Sequence, residues 1–218
     1  MHFGYLIRKL IGARYYPDNV GRYPNTPRDS YGHGTHVAST AVGAVVRNVS
    51  FYGLAAGDAR GGSPESRLAI YRVCYLISCS GSAIMAAFDD AIADGVDVLS
   101  LSLGSLPGKY LLNDPVAIGA FHAVERGILV VCAAGNSGPY LNTVANDAPW
   151  ILTVAASTVD RDFESDLVLG DQKVIKVPFL FISKLQNFIL DKYILTLYQI
   201  YSHLTHLCLL IKYYILIK

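Results

Sequence analysis

The chain has 218 residues, enough to bury one hydrophobic core, so a single domain is expected. Its 18 basic and 17 acidic residues give a formal net charge of +1, which argues against nucleic acid or an anionic membrane surface as a partner. Hydrophobic residues make up 52% of the sequence, a high fraction for a soluble domain, and the excess is concentrated at the carboxyl terminus.

The first predicted elements lead to a histidine flanked by glycines. Leu6–Tyr15 predicts a strand, and the proline-rich stretch after it predicts a loop. Gly32 and Gly34 flank His33, and the mostly apolar run from about Thr35 to Val46 predicts a buried helix. A histidine at the start of such a helix is anchored on one side and exposed on the other. This suits a general base, because imidazole titrates near neutral pH.

Strands and helices alternate along the middle of the chain. Residues 53–66 predict a surface loop, because they hold four glycines and Pro64. Strands are then predicted at Arg67–Cys74, Val96–Leu103, Ile128–Ala133 and Trp150–Ala156. Helices are predicted between them at Ser82–Ala93 and Asn113–Arg126. In the second of these helices Asn113 or Asp114 is the expected N-cap. The alternation predicts an α/β, doubly wound, mostly parallel sheet, with the functional groups at the carboxyl ends of its strands.

Two segments follow the ends of predicted strands. Ser102-Leu103-Gly104 ends one, and the glycine-bracketed Asn136 follows another. An asparagine held by glycines at a strand end is a fixed N–H donor, as an oxyanion hole requires. On its own, a histidine in an apolar run is usually a packed or capping residue, and His33-x-x-His36 lacks a third ligand for zinc. It is the second element, around Asn136, that favours a functional site over simple packing.

Together these motifs resemble the subtilisin-like serine proteases, most closely the plant subtilases. The resemblance covers roughly residues 6–173 and rests on motifs in family order: Lys9–Arg14, Arg28-Asp29, Gly32–His36, Asp94–Gly104, Asp114–Ala120 and Ala134–Pro139. It implies a three-layer subtilisin-like fold, secretion, and hydrolysis of peptide bonds through a Ser-His-Asp triad. It implies neither a metal nor a cofactor. No signal peptide is recognised in the first ten residues, so the compartment stays open on the residues alone.

The resemblance also assigns roles to the candidate residues. His33 would be the general base, and Asn136 would donate its side-chain amide to the tetrahedral oxyanion. A further set would pair with an extended polypeptide substrate or propeptide and form the pocket for the residue before the scissile bond. The members of this set are Ser102, Leu103, Gly104, Ala134 and Gly135.

The cysteines allow two interpretations. Cys74-x4-Cys79 fits a short-loop disulfide, as relatives in the family suggest, and it fits two ordinary thiols equally well. Cys132 lies in an apolar run rich in β-branched residues, so we expect a packed and inert thiol.

Two members of the family's triad are not visible in the sequence. The orienting aspartate belongs in an Asp-Thr-Gly or Asp-Ser-Gly turn before Lys9, and the nucleophile in Gly-Thr-Ser-Met-Ala-x-Pro; neither string occurs. Asp18 and Asp29 lack that context, and Asp29 is expected to be a loop or capping residue. Tyr31 stands where many plant relatives carry aspartate. We therefore expect a truncated chain that is inactive by itself, with non-catalytic binding of a peptide or propeptide as the alternative.

The carboxyl-terminal residues differ in character from the rest. Residues 175–218 contain no glycine, alanine, arginine or glutamate. Tyr193–Ile211 contains none of the four charged residue types over 19 positions, a length that could just span a bilayer, but polar residues interrupt it. We therefore predict a partial catalytic domain at residues 1–173 and, at residues 174–218, a hydrophobic tail that is not part of it. A membrane anchor is the less favoured alternative.

Overall fold

The computed structural model describes residues 9–17, 25–51, 53–75, 78–104, 110–158, 164–168, 171–178 and 215–216. The chain divides into two compact units, Met1–Ala156 with Ile211–Lys218, and Ser157–Leu210. The described helices are α1 (His33–Val42), α2 (Gly81–Ala93) and α3 (Pro115–Glu125), with a 3₁₀ turn at Leu111–Asn113. The described strands are β1 (Leu10–Tyr15), β2 (Val46–Phe51), β3 (Leu54–Ala59), β4 (Leu68–Arg72), β5 (Cys74–Tyr75), β6 (Ser78–Cys79), β7 (Val98–Leu101), β8 (Leu129–Ala133), β9 (Leu152–Val154), β10 (Glu164–Val168), β11 (Val174–Pro178) and β12 (Ile215–Leu216).

The first unit is built on a six-stranded sheet with the order β1-β4-β12-β7-β8-β9. The pairs β1–β4, β7–β8 and β8–β9 are parallel. The short strand β12 runs antiparallel to both β4 and β7, with Ile215 opposite Tyr71 on one side and Leu101 on the other. Consequently β4 and β7 point in the same direction, and so do all five longer strands. The prediction of an α/β fold with a mostly parallel sheet is confirmed.

Helices lie on both faces of this sheet. On one face Ala69 and Tyr71 of β4 join the main core with α2 and α3. Leu68, which precedes Ala69, packs against Ala38 and Val42 of α1 in a second cluster. Because successive strand residues point to opposite faces, α1 covers the face opposite α2 and α3.

The helix pair α2–α3 is held by close packing and a cap. Phe88 is fully buried and lies against Gly119, where an added Cβ would overlap the ring. Asp114 caps α3 by accepting a hydrogen bond from the Val116 N–H at 3.0 Å, and Pro115 takes the first helical position. The predicted cap at Asp114 is therefore confirmed.

The predicted elements around α1 need correction. The helix begins at His33 and ends at Val42, so its prediction as far as Val46 is wrong, and Val46 instead begins β2. The Gly43 carbonyl accepts a hydrogen bond from the Gly61 N–H at 2.9 Å, which directs the chain away from the helix axis. The β-branched valines after it then favour a strand.

The loop predicted at residues 53–66 is also wrong in part, because it contains β3. This strand pairs antiparallel with β2, for example Phe51 with Leu54 and Val46 with Ala59. Its sequence, Leu54–Ala59, is rich in alanine and glycine, so it carries none of the β-branched signal of a strand. Pairing with β2 determines its structure.

The carboxyl-terminal part is described only in pieces. In the second unit β10 and β11 form an antiparallel hairpin across the proposed boundary at residues 173 and 174. The division of the chain at that point stays a prediction. Among the described residues no helix has the length and apolarity needed to cross a bilayer. The stretch considered as a membrane anchor, Tyr193–Ile211, lies outside them.

A polar cluster joins β1 and β4 to the end of α2. The buried Tyr71 hydroxyl donates to Asp94 at 2.8 Å, and the Tyr16 hydroxyl donates to Asp90 at 2.6 Å. Arg14 contacts Asp94 at 2.7 Å. Burial, followed by the hydrogen bond to Asp94, raises the pKa of Tyr71 above its ordinary value.

Replacing Tyr71 with phenylalanine should lower the free energy of unfolding by about 1–2 kcal/mol, because a buried hydrogen bond to a carboxylate is lost. The raised pKa means that the wild-type protein loses stability as the pH rises above about 10, where the unfolded chain ionises first. Between pH 7 and 11, chemical denaturation should show that the free energy of unfolding falls less steeply with pH in Tyr71→Phe than in the wild type. The exposed Tyr15→Phe on β1 is the control, and equal effects of the two changes would contradict this account.

Candidate functional site

The predicted substrate-binding residues lie at the carboxyl ends of two adjacent parallel strands. Ser102, Leu103 and Gly104 directly follow β7, and Leu103 is buried whereas Gly104 is exposed. Ala134 and Gly135 directly follow β8. Since β7 and β8 are neighbours, both segments lie on the same edge of the sheet.

Backbone hydrogen bonds fix the chain after β8. The Ala134 N–H donates to the Val154 carbonyl at 2.9 Å, and the Ala134 carbonyl accepts from the Ala145 N–H at 2.8 Å. Gly135 has a φ of 95°, in the left-handed region that glycine adopts without strain. Asn136 comes next and is exposed. Its carboxamide is thus carried by an anchored turn and is open to a ligand.

His33 is the first residue of α1 and is half-buried. Gly32 precedes it with a φ of 93°, and Gly34 after it is buried. Glycine is needed at position 32 for this left-handed conformation and not for close packing, because nothing lies within 4 Å of the place where a Cβ would be. The helix starts at His33 itself and not after it. His36, one turn later, is exposed.

Asp29 caps the amino terminus of α1. Its carboxylate accepts four hydrogen bonds, each of 2.8 Å, from the N–H groups of Tyr31, Gly32 and Thr35 and from the Thr35 hydroxyl. Burial opposes ionisation, but these donors outweigh it and hold the pKa of Asp29 below its ordinary value. The expectation that Asp29 is a capping residue is confirmed.

Arg72, at the end of β4, was not found by sequence reasoning. It is 3% exposed, and its guanidinium donates to the carbonyls of Thr26 at 2.9 Å and Arg28 at 2.6 Å. The same group lies over the Tyr75 ring, 4.3 Å from its centre. Arg72 therefore attaches the loop before α1 to the carboxyl end of β4. The Ser30 hydroxyl, three residues before His33, also accepts from Arg72 at 3.3 Å. The loop that leads to His33 is therefore held at the carboxyl-end edge of the sheet, where Asn136 follows β8.

Sulfur chemistry around the site is structural. Cys74 and Cys79 form a disulfide, which decides between the two interpretations left open by the sequence. It joins β5 to β6 immediately after β4. Cys132 is buried in β8, and burial, with a smaller effect of the Asp114 charge, raises the pKa of its thiol to about 12. The prediction that this thiol is packed is confirmed, and a raised pKa disfavours the reactive thiolate.

Other features add no chemistry to this edge. Within the described part of the chain, no group of three His, Cys, Asp or Glu side chains could hold a metal ion. A cavity of about 610 Å³ lies between α1 and the β1–β4 pair, and apolar residues such as Leu10, Val42 and Leu68 line it. Neither His33 nor Asn136 is among its lining residues.

The chain is thus an α/β protein with an imidazole and a carboxamide at the carboxyl ends of one parallel sheet, able to accept a proton and to donate a hydrogen bond. The model of the Subtilase family (peptidase S8) matches residues 12–187. The CO(2)-response secreted protease of Arabidopsis thaliana is 64% identical over 173 residues, covering 78% of this chain and 22% of that protein. Subtilisin-like serine-protease S of Lotus japonicus is 52% identical over 182 residues, covering 78% of this chain and 24% of that protein.

The chain belongs to the subtilase family of peptidases. The resemblance found in the sequence is confirmed, and the family match continues past residue 173 to residue 187. The chain spans less than a quarter of the length of the relatives it matches, 22% and 24% for the two named here.

Replacing Asp29 with alanine should destabilise the protein by about 1–2 kcal/mol, the usual cost of losing an N-terminal cap. Because the folded-state pKa is lowered, the contribution of Asp29 is present above the unfolded value near 3.9 and is lost as the pH falls through the lower folded value. Denaturation curves should therefore separate the variant from the wild type at pH 7 and approach each other as the pH falls below about 3.9. The exposed Asp89→Ala is the control, and a pH-independent difference for Asp29→Ala would contradict the cap.

Proposed function

We propose that this chain carries the histidine and asparagine part of a serine endopeptidase site that hydrolyses peptide bonds through an acyl-enzyme. One observation supports this above all: in a member of the subtilase family, Arg72 holds the loop that leads to His33 at the carboxyl end of β4, and Asn136 follows the carboxyl end of β8 in the same sheet. A general base and an oxyanion donor have to act on one carbonyl group, so they have to share an edge.

His33 is proposed as the general base. It would take the proton of a serine hydroxyl and return it to the leaving amine. A half-buried histidine at the start of α1 suits this role, since part of its ring can meet solvent and substrate while the helix holds its backbone. Asp29 and Arg72 fix the loop before it, so the imidazole starts from a defined position.

Asn136 is proposed as the oxyanion donor, and the segments beside it as the peptide-binding cleft. An extended polypeptide or propeptide would pair with Ser102–Gly104, where the ladder of β7 has ended. Ala134 and Gly135 would form the opposite wall. Such main-chain pairing tolerates many sequences, so specificity would come from the pocket between the two walls.

We further propose that this chain by itself does not hydrolyse peptides. The strings that carry the family's aspartate and serine do not occur in residues 1–218, so the serine motif that the mechanism requires is not in this chain. Residues 1–173 would then be a partial subtilisin-like domain. The two-residue strand β12, between β4 and β7, is consistent with an incomplete sheet, because a longer strand would ordinarily occupy an interior position.

A second candidate function is peptide or propeptide binding without cleavage. It is favoured by a specific observation: both cleft segments and Asn136 follow well-paired strands although the chain holds no nucleophile motif. A secreted location is proposed for either function. The Cys74–Cys79 disulfide supports an oxidising compartment, and one relative is named a secreted protease.

A fluorophosphonate probe tests the proposed inactivity. The purified chain should remain unlabelled under conditions in which a commercial subtilisin is labelled completely, because the probe requires an activated serine. Labelling of the chain that disappears in His33→Ala and persists in His36→Ala would show a nucleophile and overturn the proposal.

The endopeptidase role is tested in a longer protein that contains this chain together with the family's aspartate and serine motifs. Such a protein should cleave casein, and His33→Ala should lower kcat by about 10⁶-fold, the scale measured for the triad histidine of subtilisin. His36→Ala is the matched control with little expected effect, because this side chain is exposed on α1. Equal activity of the two variants would remove His33 from the mechanism.

A further inference from the structure

Asn146 is a buried asparagine that no motif or family role accounts for. Its side chain is in the loop between β8 and β9, and the residue is 5% exposed. Its amide nitrogen donates to two carbonyl oxygens, that of Leu103 at 2.9 Å and that of Ala133 at 2.8 Å. We propose that Asn146 is a positioning residue that sets the distance between the two walls of the peptide-binding cleft, and thereby selects the side chain bound there. This inference rests on the proposed function.

The Leu103 carbonyl belongs to one wall, and the Ala133 carbonyl belongs to the residue directly before the other wall. Leu101 and Cys132 are the last pair of the β7–β8 ladder. Beyond them, Leu103 O and Ala133 O lie within 3 Å of the same nitrogen of Asn146. One NH₂ group therefore bridges the strands where their own pairing stops. The separation of the walls beyond that point depends on this bridge.

The orientation of the amide is determined by its partners. Both contacts are carbonyl oxygens, which only accept, so the nitrogen and not the oxygen of Asn146 must face them. The amide oxygen is then buried, with no hydrogen-bond partner in the described part of the chain. A buried acceptor without a partner is unfavourable.

The surroundings hold this amide in place. Asn146 has a φ of 56°, a left-handed conformation that asparagine tolerates, and its carbonyl accepts a short hydrogen bond from the Thr153 hydroxyl. On the cleft side, a Cβ added to Gly104 would lie 2.8 Å from the amide nitrogen. Gly104 is thus required by the close approach of Asn146, which couples the bridge directly to the wall that would contact the peptide.

The test uses the whole 218-residue chain and two matched variants. Asn146→Gly keeps the left-handed backbone and removes only the bridge. Asn142→Gly is the control, because Asn142 lies in the same loop with a φ of 58° and is exposed. The probes are four fluorescein-labelled alanine hexapeptides that carry phenylalanine, leucine, glutamine or lysine at the fourth position. Fluorescence polarisation gives the affinities, and circular dichroism gives the folded fraction.

In Asn146→Gly the ratio of affinities among the four peptides should change by about tenfold, the scale of one methylene group in a pocket. In Asn142→Gly the ratios should stay as in the wild type. A uniform loss for all four peptides, in proportion to the folded fraction, would indicate a merely structural residue and overturn the inference. A wild-type chain that binds none of the peptides would instead overturn the proposed function.

Gly104→Ala provides the answer if Asn146→Gly does not fold. Its Cβ would push on the amide nitrogen, so this variant should also change the ratios among the peptides. Unchanged ratios in a folded Gly104→Ala protein would overturn the inference.

Discussion

Backbone carbonyl groups beyond the ends of the strands have no neighbour in the sheet to pair with, and satisfying them determines the loops of this protein. In the described part of the chain, Lys9, Arg72 and Asn146 do so, each by donating to two carbonyls. Lys9 donates to the carbonyls of Pro64 and Ser66, whereas Arg72 and Asn146 donate at the edge that carries the candidate site. Each of these side chains therefore links a loop to the sheet, although burying its polar group is itself unfavourable.

This constraint explains how His33 can be placed by an irregular loop. A loop alone would leave the start of α1 free to move, since few backbone groups in it pair with one another. Arg72 donates to backbone carbonyls of this loop. Asp29 accepts hydrogen bonds from the N–H of Gly32 in the loop and from the N–H of Thr35 in the first helical turn. A negative charge at the amino end of a helix also interacts favourably with the helix dipole. The imidazole is thus positioned from both directions.

The sequence predicts well what depends on local pattern and poorly what depends on distant pairing. Strong helical periodicity predicted α2 almost to the residue, and the Asp114-Pro115 pair predicted the start of α3. The strand β3 was missed because only its pairing with β2 makes it a strand. At the site, glycine-bracketed motifs drew attention to His33 and Asn136. Arg72 was missed because its partners lie 42 or more residues away. Asn146 was missed because it lies in a loop without a motif, and one of its two partners is 43 residues away.

The two halves of the sheet are joined mainly through the helices. Between β4 and β7 the described backbone pairing passes through the two residues of β12. On the face of α2 and α3, Phe88 packs against Gly119, and the Tyr71 hydroxyl reaches from β4 to Asp94 at the end of α2. His33 is attached to the β1–β4 half and Asn136 to the β7–β9 half. The relative position of His33 and Asn136 therefore depends on this helix packing as much as on the residues around them.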